Sequence, residues 1–248
     1  MNISEIEERL NRNKSLDDQI GGAFKDNPEG YFIMGHSALR AVDSAFRLAR
    51  RPGPKSVLDY GSGYGTVLRW FHAYYPTARL TAAEVLPGAL EFCAKEFGAR
   101  PYLVDGGFES LDFNETYDCI WLGSVFTHLD PTGWQMLTKA LKKHLNPDGL
   151  LCFSFAGSFV HGLVKQGKTI PPRHQRFAAD FVRDYEEKGF GYFDYDYESY
   201  QDAPVRWGRS LTKPEYVLKH LHENDLRIVL FSERCYGNRQ DVVCAQQI

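Results

Sequence analysis

The chain has 248 residues, 29 Lys and Arg against 32 Asp and Glu, a formal net charge of −3 and 43% apolar residues. That length supports one large core or a core with an insertion, and the slightly acidic balance offers no footprint for nucleic acid or a membrane surface. No apolar run is long enough to span a bilayer, the charged N-terminal MNISEIEERLNRNK lacks a signal-peptide core, and the five scattered cysteines include no C-x-x-C; a cytoplasmic setting without zinc is expected.

Residues 1–54 are expected to form a helical cap. Ile3, Ile6 and Leu10 make one apolar stripe that Ser4 can cap, and Gly21-Gly22, Asn27-Pro28 and Gly30 interrupt it. A second helix is expected over 37–50, with Leu39, Val42, Phe46 and Ala49 inward, ended by Arg51-Pro52-Gly53-Pro54. Between them, residues 31–36 read either as an apolar plug at one end of a sheet or as a flap over a ligand.

Residues 55–156 read as a core of alternating strands and helices. A short apolar strand over 55–59 breaks into Gly61, Gly63 and Gly65, and from Tyr64 the apolar spacing (Val67, Leu68, Phe71) becomes helical. A dinucleotide loop wants a further glycine at position 66, which is Thr66. Asp59 would repel a pyrophosphate but attract a cation or accept hydrogen bonds from an ammonium group. The next strand, 79–85, carries Glu84 about 20 residues beyond the loop, where one carboxylate can accept from both vicinal hydroxyls of a ribose; a solvated strand-end glutamate is the plainer reading. A helix over 86–97 and a strand over 101–104 lead to Asp105-Gly106-Gly107, a ligand-facing acid or an ordinary turn. A strand over 117–122 continues into Gly123-Ser124-Val125-Phe126-Thr127-His128-Leu129. Asp130-Pro131 then starts a helix with Trp134, Leu137, Leu141 and Leu145 inward, and a turn at Asn146-Pro147-Asp148-Gly149 leads to a strand over 150–155.

Taken in order, D-x-G-x-G-x-G at 59–65, Glu84, Asp105 and the block YDCIWLGSVFTHLDPTGWQMLTKALKKHLNPDGLLCFSF resemble the class I S-adenosylmethionine (SAM) methyltransferases. The S-V-F-T-H-L form is similar to a bacterial subgroup associated with small-molecule, glycosyl or polysaccharide modification. The resemblance implies an α/β, Rossmann-like seven-stranded sheet with its last strand antiparallel and helices on both faces. It implies SAM as cofactor, held by Asp59, Tyr60, Gly61, Gly63, Glu84, Val85, Asp105, Gly106, Gly123 and Ser124, with Asp105 at the adenine amino group and Tyr31 contributed by the N-terminal flap. The implied reaction is methyl transfer to a small-molecule or sugar acceptor, a hydroxyl oxygen first, with nitrogen and carbon acceptors open. A nicotinamide-dependent oxidoreductase and a non-catalytic SAM-binding protein stay open as rival classes. An alcohol acceptor benefits from a general base. His128 is the leading candidate, against a structural capping role for the same side chain, and His36 and His161 are weaker ones. No clustered acid set suggests a metal.

Residues 157–208 read as an insertion in that core. Pro171-Pro172 breaks it, 173–188 suits a charged helix, and YEEKGFGYFDYDYESY places seven aromatics among carboxylates over 185–200. That pattern suits an exposed strand or hairpin arm, either facing the acceptor or joining a homodimer. Trp207-Gly208-Arg209-Ser210 is a pocket contributor or a simple connection. Over 209–248 a helix opened by Thr212-Lys213-Pro214-Glu215 precedes strands at 228–236 and 242–246, a closing hairpin.

Overall fold

The computed structural model describes residues 6, 8–18, 22, 24–195 and 206–248. Ile3, Ser4 and Tyr197 of the expected elements lie outside the described residues.

The N-terminal half of the expected cap is corrected in one respect. Residues 31–36 lie in the first turns of one helix, α1, Pro28–Leu48, and not in a segment between two helices. Asn27 caps it by accepting from the Gly30 N–H, and Pro28 takes the first turn, where its missing donor costs nothing. Tyr31, Phe32, Gly35, Ala38, Leu39, Val42, Ala45 and Phe46 are buried along one face, so the Asn27-Pro28 signal read as a break is a helix start.

The core follows as β1 (Ser56–Tyr60), α2 (Leu68–Tyr74), β2 (Arg79–Glu84), α3 (Pro87–Phe97), β3 (Arg100–Leu103), β4 (Tyr117–Leu122), α4 (Pro131–Lys142) and β5 (Leu145–Phe155). Asp130 Oδ1 accepts from the Gly133 N–H at 2.7 Å to cap α4. The expected turn at 146–149 is instead part of β5: Tyr117 pairs with Leu145 and Cys119 with Leu150, so the extra residues bulge out of the ladder. Gly149 is needed there, since a Cβ would stand 2.7 Å from the Tyr117 carbonyl oxygen. The insertion holds α5 (Ser158–Lys165), a 3₁₀ turn at Pro172–Phe177, α6 (Ala178–Lys188) and an antiparallel pair, β6 (Phe190–Asp194) with β7 (Gly208–Thr212). α7 (Pro214–Glu223), β8 (Leu226–Tyr236) and β9 (Gln240–Gln247) close the chain.

The main sheet has seven strands in the order β3-β2-β1-β4-β5-β9-β8, with β9 antiparallel to both neighbours and the other pairings parallel. Alternate residues of each strand feed the two faces. Val57, Leu80, Cys119, Trp121 and Cys152 pack beneath α1, α2 and α3, while Leu58, Ile120, Leu122, Leu151 and Phe153 pack against α4 and α7. Trp134 of α4 is fully buried among Phe126, Phe153 and Phe190, and its indole N–H donates to the Phe126 carbonyl at 2.9 Å. The insertion has its own small core of Val160, Val164, Phe181, Tyr185, Phe193 and Leu211. All five cysteines are free thiols. No helix among the described residues is long and apolar enough to cross a membrane. Because β1, β2, β3, β4 and β5 run in one direction, their carboxyl ends share one rim, the place where open α/β sheets bind ligands.

Candidate functional site

The rim is shaped first by three glycines. Gly61, Gly63 and Gly65 have φ of +72°, +49° and +76°, a left-handed run that a Cβ would strain at every step. Gly61 and Ser62 both donate to the Ala83 carbonyl, at 2.8 and 3.2 Å, which fastens the loop to the end of β2. A Cβ on Gly65 would meet the Phe97 ring at 2.4 Å, so the loop also presses on α3. The following helix starts only at Leu68, past a turn, and not at Tyr64 as the spacing predicts.

Glu84 is drawn onto this loop. One carboxylate oxygen accepts from the Gly63 N–H at 2.9 Å and the other from its own neighbour, Val85 N–H, at 2.7 Å. A carboxylate offers about four lone-pair sites, so two remain for hydroxyl donors of a ligand. Asp59, at the end of β1, is 2% exposed, and its Oδ2 has no hydrogen-bond partner. Burial, and then the charge of Glu84, push its carboxyl up to about 8, with only the Leu68 backbone N–H opposing the shift. At neutral pH and without a ligand it therefore stays mostly protonated. A buried carboxyl with an unused oxygen beside a second carboxylate is a setting that gains from a cationic donor.

The other residues expected in the site are placed around this pair. Tyr60 is buried beside Glu84. Val85 is 53% exposed, and with Leu86 and Leu103 it leaves an apolar ledge at the ends of β2 and β3. The Val104 N–H donates to the Glu84 carbonyl at 2.9 Å, which brings exposed Asp105 and then Gly106 to the same ledge. Gly123 follows β4 and faces the Tyr236 hydroxyl, 2.9 Å from where a Cβ would stand. Ser124 holds a left-handed φ of +64°, kept by its N–H donating to Ser154 Oγ (2.8 Å) and by Gln240 Nε2 donating to its own hydroxyl (3.0 Å). Tyr31 is buried behind the glycine loop: its hydroxyl donates to Asp18 (2.9 Å) and accepts from Arg69 (3.0 Å).

Arg69 explains that placement. It is fully buried in α2 and donates to the carbonyls of Gly65, Tyr64, Asn11 and Asn13 as well as to Tyr31. One guanidinium thus ties the loop to the N-terminal segment. Sequence reading passed over it because a charge inside an apolar stripe carries no signal of its own. Tyr236 was missed for a similar reason. It lies on the closing hairpin and reaches the rim only once β9 and β8 are added beside β5, where burial, and then the neighbouring Asp59, raise its phenol.

His128 sits in a 3₁₀ turn, Phe126–His128, past β4. Its Nδ1 lies 3.0 Å from the Gly208 carbonyl oxygen and 3.0 Å from the Tyr195 hydroxyl. A carbonyl only accepts, so Nδ1 carries the proton and Nε2 keeps the lone pair. Burial holds the imidazole below its ordinary value, so it is neutral at physiological pH. The insertion thus orients His128 through β7, which the reading of Trp207 to Ser210 as a pocket contributor or connection left open. His36 instead stacks on Trp70 at 4.7 Å, and His161 stacks on Tyr185 and faces Glu186 at 3.2 Å. Among the described residues no three of His, Cys, Asp or Glu converge on a common point.

Known proteins share parts of this sequence and its fold. Residues 57–149 match the family model described as a methyltransferase domain. The chain is 27% identical over 158 residues to a malonyl-[acyl-carrier protein] O-methyltransferase of Anoxybacillus flavithermus, a match covering 58% of this chain and 60% of that protein. The chain therefore spans under two thirds of that relative's length. Among solved structures, a Clostridium acetobutylicum SAM-dependent methyltransferase superposes with a TM-score of 0.56 at 15% identity, covering 94% of this chain and 99% of that one. The 1,6-didemethyltoxoflavin-N1-methyltransferase of Burkholderia thailandensis, solved with S-adenosylhomocysteine (SAH), superposes with a TM-score of 0.55 at 16% identity, covering 85% and 78%. Residues 57–149 are thus similar to a methyltransferase domain, and the chain shares its fold with solved SAM-dependent methyltransferases.

Proposed function

We propose that this chain is a SAM-dependent methyltransferase that moves a methyl group to an oxygen of a small-molecule or sugar acceptor. The observation that carries the reading is the pairing of Asp59, buried with a free oxygen, and Glu84, bridged to the Gly63 N–H, on a left-handed glycine loop. That donor and acceptor set suits SAM: an ammonium for Asp59, a ribose diol for Glu84, and an adenine over Val85, Leu86 and Leu103 with its amino group toward Asp105. Tyr60, Gly61, Gly63, Gly106, Gly123 and Ser124 would line the remainder of that cradle.

Bound SAM supplies an electrophilic methyl group. The residues then align an acceptor lone pair with the C–S bond and exclude water. His128 fits general-base work, since Nδ1 is committed to the Gly208 carbonyl and Nε2 holds the lone pair that would take the hydroxyl proton. Oxygen is favoured because a neutral buried histidine suits an alcohol or acid acceptor, and the curated relative is named as an O-methyltransferase.

The test is equilibrium binding of SAH, followed by transfer from radiolabelled SAM across a panel of alcohols, acids, sugars and amines. Saturable SAH binding with oxygen methylation supports the reading. Binding of NADH in preference to SAH, or binding of SAH with no transfer to any acceptor class, overturns it.

A further inference from the structure

Two donors at the carboxyl end of β4 have no acceptor among the described residues. Trp121 is fully buried, and its indole N–H has no hydrogen-bond partner. Tyr236 is 5% exposed, and among the described residues its hydroxyl makes no hydrogen bond. The two converge over Gly123, where there is no side chain: a Cβ would stand 2.9 Å from Tyr236 Oη and 3.2 Å from Trp121 Nε1. Their rings meet edge to face, with centroids 5.6 Å apart. Register places a third unsatisfied atom beside them. Asp59 of β1 pairs with Trp121 of β4 in the parallel ladder. Such partners lie about 4.8 Å apart and present their side chains to the same face, and Asp59 Oδ2 is likewise unpartnered.

Tyr236 is held in this position without use of its hydroxyl. It pairs with Gln240 across the β8–β9 turn, and Gln240 accepts from Ser154 Oγ at 2.7 Å and donates to Ser124 Oγ at 3.0 Å. On the other side, the Gly237 N–H donates to Ser37 Oγ of α1 at 3.2 Å. The hairpin is therefore tethered to both β4 and α1, and the phenol hydroxyl is left over.

A buried donor left unmatched carries its full desolvation cost, and at a ligand-binding rim the ligand can offset it. An indole N–H only donates, so what the site lacks is an acceptor. An α-amino acid supplies one. With its ammonium on Asp59 it carries its carboxylate one carbon away, where the charge of Asp59 would repel it unless donors stood alongside.

We propose that Tyr236, with Trp121, receives the α-carboxylate of the adenosyl ligand, and so makes the chain select for a ligand whose amino-acid end is intact. This rests on the reading that the ammonium of that ligand docks on Asp59.

The test compares three ligands by equilibrium binding to the full chain: SAH, its decarboxylated analogue, which keeps the ammonium, and methylthioadenosine, which has neither charge. Wild type should bind SAH about tenfold more tightly than the decarboxylated amine. Tyr236→Phe keeps the ring and removes only the hydroxyl. It should weaken SAH about tenfold and leave the amine and methylthioadenosine at wild-type affinity. Trp121→Phe should shift the three ligands in the same pattern, whereas Asp59→Asn should weaken both amine-bearing ligands. Wild type binding SAH and the amine equally overturns the assignment, even if neither aromatic variant folds. So does a Tyr236→Phe variant that binds SAH like wild type, or that weakens all three ligands equally; SAH still binds in these cases, and the methyltransferase reading stands. A folded chain that binds none of the three removes that reading and this assignment together.

Discussion

If the ammonium of SAM or SAH docks on Asp59, binding must expel a proton. In the ligand-free protein the carboxyl is pushed up to about 8, so at pH 7 it is about nine-tenths protonated. An opposite charge within hydrogen-bond reach lowers a carboxyl pKa by about 1 to 3 units. The bound state would then titrate near 5 to 7, and the difference is a release of about 0.4 to 0.9 proton per SAH at pH 7. Affinity should accordingly rise with pH between 6 and 8. Calorimetric titrations in buffers of different ionisation enthalpy read this release as the slope of observed heat. Asp59→Asn should flatten the slope and weaken binding. The same variant has a second signature in the free protein. Because the folded pKa lies above the unfolded one, the native state holds the extra proton between pH 4 and 8. The stability so gained is complete below pH 4 and is lost by about 1.4 kcal/mol per pH unit as pH rises through that window. Asp59→Asn should remove that slope. Buffer-independent heats, together with wild-type SAH affinity in Asp59→Asn, would refute the reasoning.

Glu84→Ala should lower SAH affinity about tenfold to a hundredfold by removing a charged acceptor, with an unchanged circular dichroism spectrum; equal affinity would remove Glu84 from the site. His128→Gln should lower kcat and leave SAH affinity intact, whereas equal loss of both would make His128 a structural residue. Gly65→Ala combines a left-handed φ of +76° with a clash against Phe97, and chemical denaturation should show a loss of about 2–4 kcal/mol. His220 is buried in contact with Thr138, and burial pulls its pKa down to about 4. Its folded value lies below the unfolded one, so stability is present above about pH 6.5 and falls as pH drops toward 4. By pH 5 the loss is about 2 kcal/mol, and denaturation of His220→Gln at pH 7 and pH 5 should show that dependence removed.

The parallel core was legible because its signals are local. Apolar runs broken by glycine locate β1, alternation with helical spacing locates β2 to α4, and Asp130-Pro131 behaves as a cap and first turn. Where an alternative local chemistry existed, the reading slipped. Asn27-Pro28 starts a helix as readily as it ends one, and Asn146-Pro147-Asp148-Gly149 reads as a turn although it bulges within β5. The carboxylates and glycines of the candidate cradle were legible as a set, since strand ends of one direction share a rim. The partners that arrange them were not. Tyr236 and Gly208 lie far from the rim residues in sequence, and Arg69, although next to the loop, takes Asn11, Asn13 and Tyr31 from far along the chain, so these contacts exist only after the parts are assembled. The β6–β7 pair was half visible, because the aromatic alternation marks one strand while Gly208 to Thr212 carries no comparable pattern.

The central claim is that a carboxylate-flanked glycine loop holds an adenosyl sulfur compound, and direct binding tests it. SAH should saturate the folded chain with a single site, out-compete NADH, and bind more weakly to both Asp59→Asn and Glu84→Ala. A chain with native circular dichroism that takes up no SAH at millimolar concentration would contradict the account.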